Sequence, residues 1–166
     1  MGHAIMSLVS ELTPGRLTLI TGATGSGKTS ACLQWCEQML SRREPVLWLD
    51  SDHTLSLVRL AHYAGFADYF WGFRPSSPEQ GYHLALAYFR QRKGGVVVLD
   101  SIDGLIPEAG DQQAWVKRFL PRLIGALYVS KSRLLCTSHA EPSARRSRLA
   151  MYAYQHINLG WGYESY

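Results

Sequence analysis

Arg16-Leu17-Thr18-Leu19-Ile20-Thr21, running into Gly22-Ala23-Thr24-Gly25-Ser26-Gly27-Lys28-Thr29, decides the fold. The first six residues are almost wholly apolar and β-branched, which suits a buried parallel strand. Pro14-Gly15 is the turn that launches it. The next eight fit G-x-x-x-x-G-K-[ST] at every fixed position, and a helix is predicted from Lys28 to about Arg42. Strand, glycine loop and helix in that order make a phosphate cradle. Gly22, Gly25 and Gly27 let the backbone curl so that its amides converge on phosphate oxygens, with Ala23, Thr24, Ser26 and Ser30 completing the loop and first turn. Lys28 carries a point charge to the β- and γ-phosphates, and Thr29 offers a hydroxyl to Mg²⁺. The helix start adds its positive dipole end. The implied ligands are ATP and Mg²⁺.

Outward from this stretch, strands alternate with helices. Pro45–Asp50 is a second strand, and Thr54 is expected to cap a helix carrying Leu55, Leu57, Val58, Leu60 and Ala61. Tyr69–Phe73 fits a short third strand. Ser77-Pro78 opens a helix with Tyr82, Leu84, Ala85, Leu86 and Phe89, which Gly94-Gly95 is expected to end. Val96-Val97-Val98-Leu99-Asp100 is the clearest buried strand. A helix over about Gln112 to Val129 contains Pro121, a candidate kink. Arg133–Ser138 and Met151–Leu159 complete the strands. The fold class is α/β, three layers around a mostly parallel sheet.

The whole composition agrees. The chain has 166 residues, 46% hydrophobic and 18% charged, which is one domain's worth and excludes a disordered chain. No apolar run reaches the ~18 residues of a membrane span, and no signal peptide is visible, so the reading is cytoplasmic, or nuclear in a eukaryote. The net charge of +4 is compatible with a nucleic-acid partner. Its cations cluster at Arg42-Arg43, Arg90 to Lys93, Lys117-Arg118 with Arg122, Lys131 to Arg133, and Arg145-Arg146-Ser147-Arg148. Cys32 and Cys36 share a helix face; they read either as half of a metal site or as two small buried residues.

A phosphate loop of this kind needs a carboxylate for Mg²⁺ at the C-terminal end of an apolar strand, expected beside the loop strand. Asp100 fits. Around it, Leu99-Asp100-Ser101-Ile102-Asp103-Gly104-Leu105-Ile106-Pro107 resembles the V-D-S-[VI]-x-A-L-x-P signature of the RecA family of recombination ATPases. Leu49-Asp50-Ser51-Asp52-His53-Thr54-Leu55 is similar to that family's I-D-A-E-H-A-L, and Leu134–His139 stands where the family has a strand ending in N-Q. The resemblance runs from about Leu12 to Leu159. It divides the chain into a short segment 1–12, a RecA-like ATPase core 13–160 and an aromatic tail 161–166.

The resemblance implies roles. Asp52 matches the glutamate that activates the attacking water, one methylene shorter; otherwise it is an acid complementing a helix start. His139 matches the glutamine that senses the γ-phosphate; otherwise it is structural. The catalytic set is then Lys28, Asp52, Asp100 and His139. Two loops in the positions that hold DNA in the family correspond to Glu108–Gln113 and Ala140–Arg148. Arg145, Arg146 and Arg148 could bind phosphates of single-stranded DNA, or form a solvated loop or subunit contact. Trp71, Trp115 and Trp161 read as stacking platforms or as packing. The tail and Ala4-Ile5-Met6 are candidate partner surfaces. Set against the resemblance, the sequence is expected to lack the family's polymerisation helix and strand before the core and its hairpin of trans-acting lysines after it. Three functions follow from the resemblance. The first is an ATPase in DNA recombination or repair, with DNA, a homo-oligomer or a recombination protein as partner. The second is a ring motor of packaging type. The third is a slow nucleotide-dependent switch.

Overall fold

Residues alternate in facing along each strand, so a sheet buried on both sides splits its apolar residues into two cores. The computed structural model of the chain describes residues 12–107, 110, 112–139 and 152–159. Among these, β1 (Leu17–Gly22), β2 (Val46–Asp50), β3 (Phe70–Phe73), β4 (Val96–Asp100), β5 (Arg133–His139) and β6 (Gln155–Asn158) form one six-stranded sheet in the order β3-β2-β4-β5-β1-β6. Every described pairing is parallel. β1, β2 and β4 are buried along their whole length.

On one face Leu17, Leu19, Leu47, Leu49, Val97, Leu99, Leu134 and Cys136 pack under α3 (Pro78–Gln91) and α4 (Gln112–Ser130). On the other, Ile20, Val46, Trp48, Val96, Val98 and Leu135 pack under α1 (Lys28–Ser41), whose inner face is Ala31, Cys32, Trp35, Cys36, Met39 and Leu40. Cys32 and Cys36 are fully buried in that second core. Both side chains pack among Ile20, Trp35, Met39 and Leu40, as small buried residues do.

Local chemistry explains the helix limits. Ser77 Oγ accepts from the Gln80 amide and Pro78 occupies the first turn of α3. That helix ends at Gln91, before the glycines: Arg92 is already extended, and Gly94 and Gly95 have φ of +78° and +80° in the turn into β4. A Cβ at Gly95 would strike Pro45 and the Tyr88 hydroxyl, so glycine is required there. α4 runs unbroken through Pro121, which lies on its exposed face, where solvent can satisfy the carbonyl that proline leaves without a donor. The expected cap at Thr54 is corrected: α2 (Leu57–His62) is capped by Ser56, whose Oγ accepts from the Arg59 amide at 3.3 Å. Thr54 lies at the site instead.

β5 stands between β1 and β4. The expectation that the Asp100 strand adjoins the loop strand is therefore also corrected. The crossover from β1 to β2 passes over two strands, β5 and β4, and Thr29 after the loop still reaches Asp100 at 2.9 Å.

Candidate nucleotide-binding site

In an open parallel sheet, ligands bind beyond the carboxyl ends of the strands. β1, β2, β4 and β5 end there in Gly22, Asp50, Asp100 and His139. A cleft of about 310 Å³ opens among them, lined by Thr24, Gly25, Gly27, Lys28, Thr29, Ser30, Asp52, Thr54, Arg59, Asp100 and His139. Of the residues singled out from the sequence, the structure brings Thr24, Gly25, Gly27, Lys28, Thr29, Ser30, Asp52, Asp100 and His139 to this one cleft, while Gly22, Ala23 and Ser26 are not in its lining.

The loop is built to approach an anion closely. Gly25 and Gly27 have φ of +82° and +93°, and open space surrounds the position of a Cβ at each. At Gly22 a Cβ would collide with Ser26 Oγ and the Leu159 carbonyl. Ser26 Oγ is buried and makes no hydrogen bond to another described group. An unpaired polar atom inside a glycine loop suits a loop that receives oxygens from outside the chain. Lys28 is buried, and its Nζ donates to the Gly22 and Ala23 carbonyls at 2.8 and 2.9 Å. Burial pushes its pKa down, against the opposing pull of Asp100, Asp52 and Asp103.

Asp100 is 2% exposed and held by three hydroxyls. Thr137 Oγ1 donates to Oδ1 at 2.6 Å; Thr29 and Thr54 donate to Oδ2 at 2.9 and 2.8 Å. Asp50 pairs with Asp100 in register at the ends of β2 and β4. Its charge is met by the Thr54 and Leu55 amides at 2.7 and 3.2 Å and by Arg74 Nε at 3.2 Å. Thr54 Oγ1 also lies 3.2 Å from Asp50, so this one hydroxyl bridges two neighbouring carboxylates.

Asp52 accepts from Ser101 Oγ at 2.9 Å, and its other oxygen lies 3.2 Å from His139 Nε2. His139 is itself fixed by its amide, which donates to Asp103 at 2.9 Å; Ser138 Oγ donates to the same carboxylate. Hard oxygen donors at Thr29 and Asp100 fit Mg²⁺, which uses one or two protein oxygens and completes its shell with phosphate and water. The three thiols are inert by contrast: burial raises the pKa of Cys32, Cys36 and Cys136.

Thr54, Arg59, Arg74, Asp103 and Thr137 were not read as site residues from the sequence. The available signal was a polar group closing each apolar strand: Asp50 after Leu49, Asp100 after Leu99, Thr137-Ser138 after Cys136. Trp71 and Trp115 are partly buried against the first core, as packing residues are. Arg145, Arg146, Arg148, Glu108, Asp111, Trp161 and the candidate surfaces at residues 4–6 and 161–166 lie outside the described residues.

The structure thus defines an α/β fold consistent with a RecA-type phosphate-loop core. No protein-family model matches the chain. It is 27% identical over 129 residues to the RecA protein of Brevibacillus brevis, covering 71% of this chain and 37% of that one. It is 28% identical over 135 residues to RecA of Staphylococcus carnosus, covering 75% and 37%, and 28% identical over 134 residues to RecA of Borrelia turicatae, covering 73% and 36%. The chain therefore spans little more than a third of the length of the curated relatives it matches. The similarity is distant and partial; it suggests a RecA-like domain and goes no further. No helix among the described residues is long and apolar enough to cross a membrane.

Proposed function

We propose that the chain binds Mg²⁺·ATP and hydrolyses it as a RecA-like ATPase in DNA recombination or repair. The observation that carries this reading is the convergence of Lys28, Thr29 and a triply held Asp100 on one cleft at a helix start. The glycine loop and Lys28 would bind and orient the phosphates, with Lys28 exchanging its two carbonyl partners for phosphate oxygens. Thr29 and Asp100 would hold Mg²⁺, which when bound neutralises charge developing on the phosphates. Asp52 would accept a proton from the attacking water, within reach of His139, whose amide is anchored to Asp103. The core is residues 13–160, flanked by segments 1–12 and 161–166, and the location is cytoplasmic.

Single-stranded DNA, a second copy or a recombination protein is the partner in this reading, with Arg145, Arg146 and Arg148 contacting phosphates. One observation favours a slower, switch-like variant: both Asp52 oxygens already have partners in Ser101 and His139. The test is steady-state ATP turnover with and without single-stranded DNA, for wild type and Arg145→Ala/Arg146→Ala. Turnover that rises with DNA in the wild type only is expected. Turnover indifferent to DNA in both would remove the DNA role and leave the switch.

A further inference from the structure

The outer surface of the α3–α4 layer carries a second concavity, about 710 Å³, which shares no residue with the nucleotide cleft. Its apolar surface comes from Phe119, Ala126 and Val129, above the buried Leu86; Val129 is 76% exposed, and the Arg118 guanidinium lies 5.2 Å over the Phe119 ring. Its rim is cationic, from Arg90, Arg118 and Arg122, all exposed. None of these arginines has an ion-pair partner among the described residues. Among the described residues no acidic one lines the groove, and α4 has no Asp or Glu along its 19 residues. Arg118, Arg122, Gly125 and Val129 recur at helical spacing, so they form one stripe along α4.

Gly125 is the second observation. Glycine in a helix interior is unfavourable relative to alanine. Here nothing lies within 4 Å of where its Cβ would be, so no packing among the described residues demands glycine. What the missing side chain leaves is open space at the centre of the groove, where a foreign backbone can come close.

We propose that this groove docks an acidic amphipathic helix of a partner protein, its apolar stripe on Phe119, Ala126 and Val129 and its carboxylates on Arg90, Arg118 and Arg122. From Arg118 to Val129 the stripe spans about 16 Å, three turns of such a helix. Arginine forks match carboxylates bidentately, and the apolar floor gives the partner's other face its burial. A nucleic-acid backbone would satisfy the arginines and leave the floor uncovered, so the protein partner is favoured.

The probe is a fluorescent 15-residue helical peptide with leucines at i, i+3, i+4 and i+7 flanked by glutamates, titrated with the full chain and read by anisotropy. Saturable binding is expected. It should weaken about tenfold or more with Arg118→Glu/Arg122→Glu and with Gly125→Leu, and be lost when the leucines become serines or the glutamates lysines. Gly125→Ala should raise the unfolding midpoint while weakening the peptide, a pairing that a merely structural glycine cannot give. Equal binding of the serine peptide, competition by an oligonucleotide at equal concentration, or self-association abolished by Arg122→Glu would each overturn the proposal. So would peptide affinity unchanged by Gly125→Leu in a protein with wild-type ATP affinity.

Discussion

Thr137→Val removes one oxygen from the centre of the site and little else. The side chain is fully buried, its hydroxyl donates to Asp100 Oδ1 at 2.6 Å, and valine has nearly the same shape. A hydrogen bond to a charged group contributes about 1.5–3 kcal/mol, and the carboxylate oxygen left behind stays buried. The expected loss is therefore about 2 kcal/mol. With a urea slope of about 2 kcal/mol/M, the midpoint falls by about 1 M at unchanged slope. The second consequence is functional. Asp100 keeps only its two Oδ2 donors and can rotate, so Mg²⁺-dependent affinity for a fluorescent ATP analogue should fall about tenfold, while affinity in EDTA changes little. Thr137→Ser separates the two effects: it loses a methyl and about 1 kcal/mol, and it keeps the Mg²⁺ dependence. A Thr137→Val midpoint within 0.2 M of wild type, or equal Mg²⁺ dependence in the Val and Ser variants, would refute the argument that the hydroxyls hold Asp100.

Alkaline pH should destabilise the fold. Burial raises the three thiols, so the folded chain keeps protons that the unfolded chain loses above about pH 8.5. Stability then falls as pH rises, by about 1.4 kcal/mol per thiol at pH 9.5, or about 4 kcal/mol in all. Lys28, with its pKa lowered by burial, works in the opposite direction as a single group. Denaturation at pH 7.5 and 9.5 checks this, and Cys32→Ala/Cys36→Ala should remove about two thirds of the difference. Gly22→Ala forces a Cβ against Ser26 Oγ and the Leu159 carbonyl, and should weaken ATP at least tenfold by equilibrium titration. Asp52→Asn should cut turnover a hundredfold or more while leaving ATP affinity within about twofold, as loss of a general base does.

The order of elements was legible because each apolar run ends in a turn or a cap. Val96–Leu99 is continuously apolar, and Leu17–Thr21 is broken only by two uncharged threonines; a strand buried on both sides accommodates both. The loop was legible because its glycines, lysine and threonine are contiguous. Strand adjacency was not: nothing in Val96–Asp100 or Arg133–His139 states that β5 inserts between β1 and β4. The hydroxyls around Asp100 were hidden for the same reason. Thr54 and Thr137 are 83 residues apart in the chain and meet only through the sheet. Thr54 looked like a cap because serine and threonine serve both purposes, and Ser56, two residues on, took that role. The α3–α4 groove was legible only as a cluster of cations, Lys117-Arg118 with Arg122, until the helices placed Arg90 and an empty glycine beside it.

The central claim is that Lys28, Thr29 and Asp100 form a Mg²⁺·ATP site. Calorimetric titration of ATP in Mg²⁺ and in EDTA, for wild type, Lys28→Ala and Asp100→Asn, tests it most directly. Saturable binding by the wild type that weakens in EDTA is expected. Binding should be lost with Lys28→Ala, and retained with Asp100→Asn but no longer sensitive to Mg²⁺. Wild-type heats no larger than dilution, or equal affinity in all three proteins, would contradict it.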